Sequence, residues 1–365
     1  MMKKFKNKNI AIVTGGTGGH IYPALTVYNQ LLKKCMNIIF ITDKRGHLNQ
    51  ELNKYNPESI NVKGYEGKSF LRRVICILLI VTSCIKAILI LKRKKIKLVI
   101  GFGSYVQVPV IIAAKILKID VILHEANAVL GRANKIFWSF VKYRTTAYNI
   151  EYRKLETILL GTPVRKEIVN LYSKNFKEPK RNQSLNILIL GGSLGASVLS
   201  HSLSKIIIKL PYNLRKKIQI THQVRKEQKQ KVIDEYKLAN IKADVRGFID
   251  NLPHHLKLSH LVISRAGAST VAENLTAGKP AIYIPLPSAS GNHQFLNIKE
   301  FSKKKAAWVF TEEELHKKNF LNILKKILST KGILSMYSRN AKTNAKPYAT
   351  KIFCKLVTGS LNANL

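Results

Sequence analysis

The sequence predicts an α/β protein of two parallel-sheet domains, and three observations carry that expectation. A short apolar run that ends in a glycine turn just before a helix occurs twice, about 175 residues apart. Each occurrence is followed by alternating apolar runs and helical stretches, the pattern of parallel strands joined by crossover helices. The 365 residues exceed one ordinary core and suit two domains of about 150–180 residues.

The elements follow in order. Ile10 to Val13 is wholly apolar, as a strand buried on both faces should be. It ends in Thr14-Gly15-Gly16-Thr17-Gly18-Gly19-His20, with a helix expected from about Tyr22. Asn37 to Thr42, Leu98 to Ile100 and Val121 to His124 are the next strands of this half. Leu185 to Leu190 opens the second half and ends in Gly191-Gly192-Ser193-Leu194-Gly195-Ala196. Gln219 to His222, Leu261 to Ser264 and Ala281 to Ile284 continue it. The break falls at Gly161-Thr162-Pro163-Val164-Arg165, a turn signal, followed by a polar stretch from Tyr172 to Ser184. The expected domains are 1–163 and 164–341, with a basic, helical tail after them. Two such Rossmann-like, doubly wound sheets facing each other would leave a ligand crevice at their carboxyl ends.

Composition narrows the function less than it narrows the fold. Hydrophobic residues make up 46%, a globular composition. Lys and Arg number 62 against 20 Asp and Glu, a net charge of +42. That favours anionic partners. Tracts such as Lys92-Arg93-Lys94-Lys95 and Lys303-Lys304-Lys305 read equally as compositional drift, so charge alone names no partner. The four cysteines include no CxxC pair, which suits a reducing compartment. The apolar run after the basic N-terminus is too short for a signal peptide. Val74 to Leu91 is strongly apolar but carries Lys86 and basic flanks. A membrane span needs about 20 apolar residues, and a central Lys costs about 3 kcal/mol there. The expectation is a helix packed on a sheet, with its outer face and basic flanks on a membrane surface.

Glycine turns between strand and helix bring backbone N–H groups to an anion, and the helix dipole adds attraction. Neither turn is GxGxxG or GxxxxGK[ST], so the dinucleotide and ATP fingerprints are absent. Asp43, at a strand end where a ribose ligand would sit, is the one feature favouring a nicotinamide or flavin oxidoreductase, and the glycine spacing argues against it. No recognised nucleic-acid motif accompanies the charge. His20, close to a helix N-terminus, would be kept neutral by the dipole and able to accept a proton. The stretch Ser264 to Glu273 follows a strand, and a carboxylate at Glu273 can accept both hydroxyls of a ribose. Asn292 to Asn297 offers side-chain amides, which donate and accept at once, to sugar hydroxyls.

Taken together these residues resemble the MurG family. Gly15 to His20 with Pro23 is similar to its first signature, and Gly101-Phe102-Gly103-Ser104-Tyr105-Val106 to its second glycine loop. His124-Glu125-Ala126-Asn127 resembles its His-Glu-Gln-Asn segment, with Ala126 in place of Gln. Thr162 to Arg165, Gly191 to Ala196 and Ala268 to Glu273 also match in the family's order, and His293-Gln294 stands where many relatives carry a Gln pair.

The resemblance implies a GT-B fold with the active site in an interdomain cleft and the last helix, about 342–365, packed back on the first domain. It implies an inverting transfer of GlcNAc from UDP-GlcNAc to the C4 hydroxyl of MurNAc in undecaprenyl-diphosphate-MurNAc-pentapeptide. It places uracil at Ile249, ribose at Glu273 among Ala268, Ser269, Thr270, Val271 and Ala272, and the diphosphate at Ser193. It places GlcNAc at Gln294 and Asn127, with Arg165 on the donor side. Thr17, Gly18 and Gly19 would line the acceptor side, and His20 would assist the attack. No metal or other cofactor is implied, since backbone donors and a helix dipole can stabilise a departing UDP. The implied partners are UDP-GlcNAc, lipid I, an anionic membrane surface and other cell-wall synthesis proteins, and the implied place is the cytoplasmic face of the inner membrane. A related GT-B enzyme with another lipid acceptor is the alternative, and His124 to Asn127 argues against it.

Overall fold

The computed structural model describes residues 8–16, 18–34, 36–62, 70–180, 183–191 and 197–362. The chain forms two compact units, one of Met1–Val164 with Tyr348–Leu365, the other of Arg165–Pro347.

The first unit holds a seven-stranded parallel sheet. Its strands are β1 (Asn9–Val13), β2 (Asn37–Thr42), β3 (Glu58–Ser59), β4 (Leu98–Gly101), β5 (Asp120–Glu125), β6 (Tyr143–Thr146) and β7 (Ile158–Leu159). Their spatial order is β3-β2-β1-β4-β5-β6-β7, the doubly wound arrangement, with its reversal between β1 and β4. Alternation along the strands feeds two cores. Ile10, Ile12, Leu98 and Ile100 face one, shared with Phe353 and Val357 of the last helix, Ala349–Asn362. Ala11, Val13 and Val99 face the other. Burial on both faces is why these strands read as unbroken apolar runs.

The second unit repeats the design with six parallel strands. They are β8 (Leu185–Leu190), β9 (Ile218–Gln223), β10 (Lys242–Arg246), β11 (Leu261–Ser264), β12 (Ala281–Tyr283) and β13 (Trp308–Val309). The order is β10-β9-β8-β11-β12-β13, reversing between β8 and β11. The Ile333–Thr343 helix packs on the Ala268–Thr276 helix of this unit, and the return to the first unit begins at Tyr348.

One local reading differs from the structure, and the edge strands are absent from the sequence expectations. The first helix starts at Gly18, not near Tyr22, because the glycines enter the first turn themselves. Strands β3, β7 and β13 are two residues long, too short to leave an alternation. β10 carries Lys242, Asp244 and Arg246 on a sheet edge, where charge is tolerated and blunts edge pairing.

The apolar stretch near Val74 lies in a 24-residue helix, Phe70–Arg93. Ala87, Ile90 and Leu91 enter the core, and Ser83 Oγ donates to Asn61 O at 2.8 Å. Leu78, Val81, Ile85 and Leu89 fall at helical spacing on the opposite face and are 51–62% exposed. Among the described residues no helix is long and apolar enough to cross a membrane.

His222 on β9 is fully buried, its Nδ1 2.9 Å from the Tyr236 hydroxyl. Burial pushes its pKa down to about 3 from 6.5. The unfolded chain therefore takes up a proton below pH 6.5 that the folded chain refuses, so His222 costs stability as pH falls through that range. From pH 7 to pH 5 the loss is about 2 kcal/mol. Urea midpoints at the two pH values should differ less in His222→Leu than in the unchanged chain; equal differences would show that His222 does not carry this dependence.

Candidate active site

In the first unit both glycine turns lie at the reversal of strand order, after β1 and β4. Gly16 has φ +79° and its N–H donates to Asp43 Oδ1 at 3.3 Å. A Cβ there would lie 3.6 Å from Ser104 Oγ, so the two turns abut. Asp43 is 5% exposed; it also accepts from Gly46 N at 2.9 Å and pairs with Arg45. Its carboxylate anchors the turn, which removes the ribose role considered for it.

His20 sits in the first turn of the Gly18–Leu32 helix. Gly103, at φ +103°, backs onto it: a Cβ at Gly103 would lie 2.8 Å from His20 Cε1 and Nδ1. Only glycine meets both demands, a left-handed backbone and contact with a ring. His124 lies behind, fully buried, with Nδ1 3.1 Å from Thr145 Oγ1. That hydroxyl donates to Leu123 O at 2.9 Å, so it accepts from the His124 Nδ1–H. Burial chiefly, and then His20, lower the His124 pKa to about 3, which keeps it neutral. Phe353 of the C-terminal helix stacks on Phe102 with ring centroids 5.4 Å apart and meets His124 edge-on. The returning helix thus supports this site from below.

Glu125 ends β5 as a buried carboxylate. Oε1 accepts Asn127 N at 3.0 Å and Asn127 Nδ2 at 3.2 Å. Oε2 accepts Gly131 N at 2.7 Å and Asn134 Nδ2 at 2.8 Å. The acid organises the turn that follows it, and Asn127 is part of that turn. Thr17 lies outside the described residues.

In the second unit the turn 192–196, with Ser193, also lies outside the described residues. The matching loop after β11 runs from Arg265 to Gly267. Gly267 precedes the Ala268–Thr276 helix in extended conformation. Ala268, Ser269 and Thr270 form its first turn, whose N–H groups have no carbonyl one turn earlier in the helix. Val271 differs from them: its side chain is fully buried and its N–H donates to Gly267 O at 3.0 Å. Ala272 is half-buried beside it.

Glu273 is 6% exposed. Arg165 Nε and Nη2 both reach its Oε1 at 2.8 Å. Burial raises the Glu273 carboxyl above its ordinary range, and Arg165 opposes that rise. Arg165, expected only on the donor side, is therefore the counter-ion of Glu273. Gln294 has its carbonyl engaged twice, by Ala266 N at 3.2 Å and Leu286 N at 3.0 Å. Through that oxygen it fastens two loops together. His293 donates from Nδ1 to Ser290 O at 2.8 Å and closes its own turn. Ile249 is buried, at 6% exposure. Sequence reasoning gave no role to Arg265, which donates to Ile284 O and Pro285 O at 3.1 and 3.2 Å and pairs with Glu312. Nor did it single out Gln107 and Asn134, because an amide on a helix carries no spacing signal.

Two family models match the chain: the glycosyltransferase family 28 N-terminal domain over residues 10–148 and the family's C-terminal domain over 186–352. A UDP-N-acetylglucosamine--N-acetylmuramyl-(pentapeptide) pyrophosphoryl-undecaprenol N-acetylglucosamine transferase of Wolbachia sp. subsp. Brugia malayi is 35% identical over 336 residues, which are 92% of this chain and 94% of the relative. The protein of that name from Francisella philomiragia is 33% identical over 369 residues, covering 98% and 99%. Among solved structures, Acinetobacter baumannii MurG is 29% identical with a TM-score of 0.78, over 96% of this chain and 99% of that one. A UDP-GlcNAc 2-epimerase from Neisseria meningitidis shares the fold, at 13% identity and TM-score 0.62 over 96% of this chain and 100% of that one.

The Arg165–Glu273 pair makes a quantitative claim. A double-mutant cycle with Arg165→Met and Glu273→Gln, read by urea unfolding, should give a coupling of about 1–3 kcal/mol. Independent, additive effects would mean that the two charges do not depend on each other.

Proposed function

From the chain's membership of the MurG family, within glycosyltransferase family 28 and of GT-B fold, we propose the reaction and the roles of the residues just described. The protein is a UDP-GlcNAc-dependent hexosyltransferase that adds N-acetylglucosamine to undecaprenyl-diphosphate-MurNAc-pentapeptide, converting lipid I to lipid II in peptidoglycan synthesis. The observation that carries the assignment of roles is the placement of glycine turns or helix starts at the strand-order reversal of each sheet. Open α/β sheets bind ligands at that point.

The second unit takes the donor. Glu273, with both Arg165 contacts on Oε1, offers Oε2 to the ribose hydroxyls. The first turn of the Ala268–Thr276 helix and the Ser193 turn receive the diphosphate. Ile249 meets uracil. Gln294 and Asn127 serve GlcNAc recognition. As the anomeric bond lengthens, negative charge grows on the UDP oxygens. Backbone N–H groups and a helix dipole already in place stabilise it without reorganising.

The first unit takes the acceptor. Gly18 and Gly19 with Thr17 line the path of the acceptor diphosphate, and His20 accepts the proton of the attacking C4 hydroxyl. That attack, opposite the departing UDP, inverts the anomeric centre. The neutral His124 behind His20 adds no competing charge. The exposed stripe of Leu78, Val81, Ile85 and Leu89, with Lys92, Arg93, Lys94 and Lys95 at its end, suits the surface of an anionic membrane, where a lipid-anchored acceptor resides. The protein acts as a peripheral enzyme at the cytoplasmic face of that membrane, beside other cell-wall synthesis proteins.

UDP release by purified protein should depend on a short-chain lipid I analogue, and the product should gain the mass of one GlcNAc. UDP binding without transfer to that analogue would move the acceptor to another lipid. His20→Ala should cut turnover about a hundredfold while UDP-GlcNAc binding holds, and near-normal turnover would make His20 structural. Glu273→Ala should weaken donor binding more than it alters the acceptor KM; equal effects would remove the ribose role. Replacing Ile85 and Leu89 together by Glu should abolish sedimentation with phosphatidylglycerol vesicles and spare UDP binding. Undiminished sedimentation would place membrane contact elsewhere.

A further inference from the structure

Gln107 is a fully buried polar side chain in the helix Gln107–Ile116, just after the second glycine turn. Its Oε1 accepts Gly103 N–H at 3.0 Å. Its Nε2 donates to Asn134 Oδ1 at 2.6 Å. Asn134 Nδ2 in turn donates to Glu125 Oε2 at 2.8 Å. The ends of this chain of bonds fix its direction. A backbone N–H can only donate and a carboxylate can only accept, so each amide between them has one consistent orientation. Aligned in this way, the bonds polarise and strengthen one another.

Each end reaches a part of the site. At one end Gly103 lies against the His20 ring. At the other, the same Glu125 carboxylate holds Asn127 N and Nδ2 and Gly131 N. Gly101 leaves room for the link: a Cβ there would lie 2.7 Å from Gln107 Oε1. Two buried amides, Gln107 and Asn134, therefore join the turn behind His20 to the turn that carries Asn127.

We propose that Gln107 is a positioning residue for the transfer reaction, holding Gly103 at the depth that seats His20 and keeping the two turns in register. It touches no substrate and acts through Gly103 and Asn134. The inference rests on the reading that His20 and Asn127 serve catalysis.

Two substitutions separate positioning from simple packing. Q107M keeps the length and loses both bonds. Q107E keeps the shape but sets a carboxylate oxygen against Asn134 Oδ1. Asn134 cannot turn over to relieve it without setting Oδ1 against Glu125. Once protonated, the introduced carboxyl can donate to Asn134 and accept from Gly103, restoring the chain.

Q107M should lose about tenfold or more in kcat/KM for the lipid acceptor, with UDP binding and the folded circular dichroism spectrum retained. The His20 Cε1–H signal in NMR should shift from its position in the unchanged protein. Any deficit of Q107E relative to the unchanged enzyme should shrink from about pH 9 to about pH 6 as the introduced carboxyl protonates. Unaltered acceptor kinetics in Q107M, an unmoved His20 signal, or a Q107E deficit independent of pH would each overturn the proposal. If the unchanged protein transferred nothing to the lipid acceptor, the functional reading would fall, while the His20 signal would still report whether Gln107 sets that ring.

Discussion

Parallel strand pairing is the constraint on which the rest depends. Every strand pair in both sheets is parallel. A parallel pair cannot close with a tight hairpin, so the chain must cross over each time, mostly through a helix. All strands of a sheet then end at the same edge, and every loop that follows a strand gathers there. Where the order reverses, neighbouring loops diverge to opposite faces and leave space between them. Gly15 and Gly16 after β1, Gly103 after β4, and Arg265 to Gly267 after β11 all occupy such positions. Chemistry accumulates at these loops because backbone geometry brings them together before any side chain is chosen.

Glu125 in the first unit and Glu273 in the second are both buried carboxylates, and each is satisfied differently. Glu125 is held by backbone and amide N–H groups, four bonds shared over two oxygens. Such an arrangement fixes the backbone of the surrounding turn, since the donors are the turn itself. Glu273 is held by one guanidinium on one oxygen. That leaves the other oxygen directed to its surroundings, at the cost of a raised carboxyl pKa. A buried charge needs compensation in either case. Compensation by backbone gives rigidity, and compensation by a single side chain leaves acceptor capacity for a ligand.

The Phe70–Arg93 helix shows how one element serves two environments. Its inner face of Ala87, Ile90 and Leu91 is committed to the core. Its outer stripe is as apolar as a core face yet exposed in this fold. A stripe of that kind is ordinarily covered by another phase or partner. Its inner face also explains why an apolar run of this length does not become a span: half of the helix is already used.

The sequence by itself determined the two-sheet α/β architecture, the main central strands and the glycine turns after β1 and β4. Each of these depends on burial period or on turn chemistry, which act within a few residues. The two-residue strands at the sheet edges left no such trace, because a pattern of two cannot show alternation. Only the tertiary structure decided how the polar residues pair. Asp43 became an anchor for a turn, Arg165 the counter-ion of Glu273, Gln294 a clamp with its carbonyl already used, and Gln107 with Asn134 the link between two turns. Those partners lie up to 108 residues apart. Hydrogen bonds between distant residues carry no local periodicity, so they become legible only once the chain has folded around them.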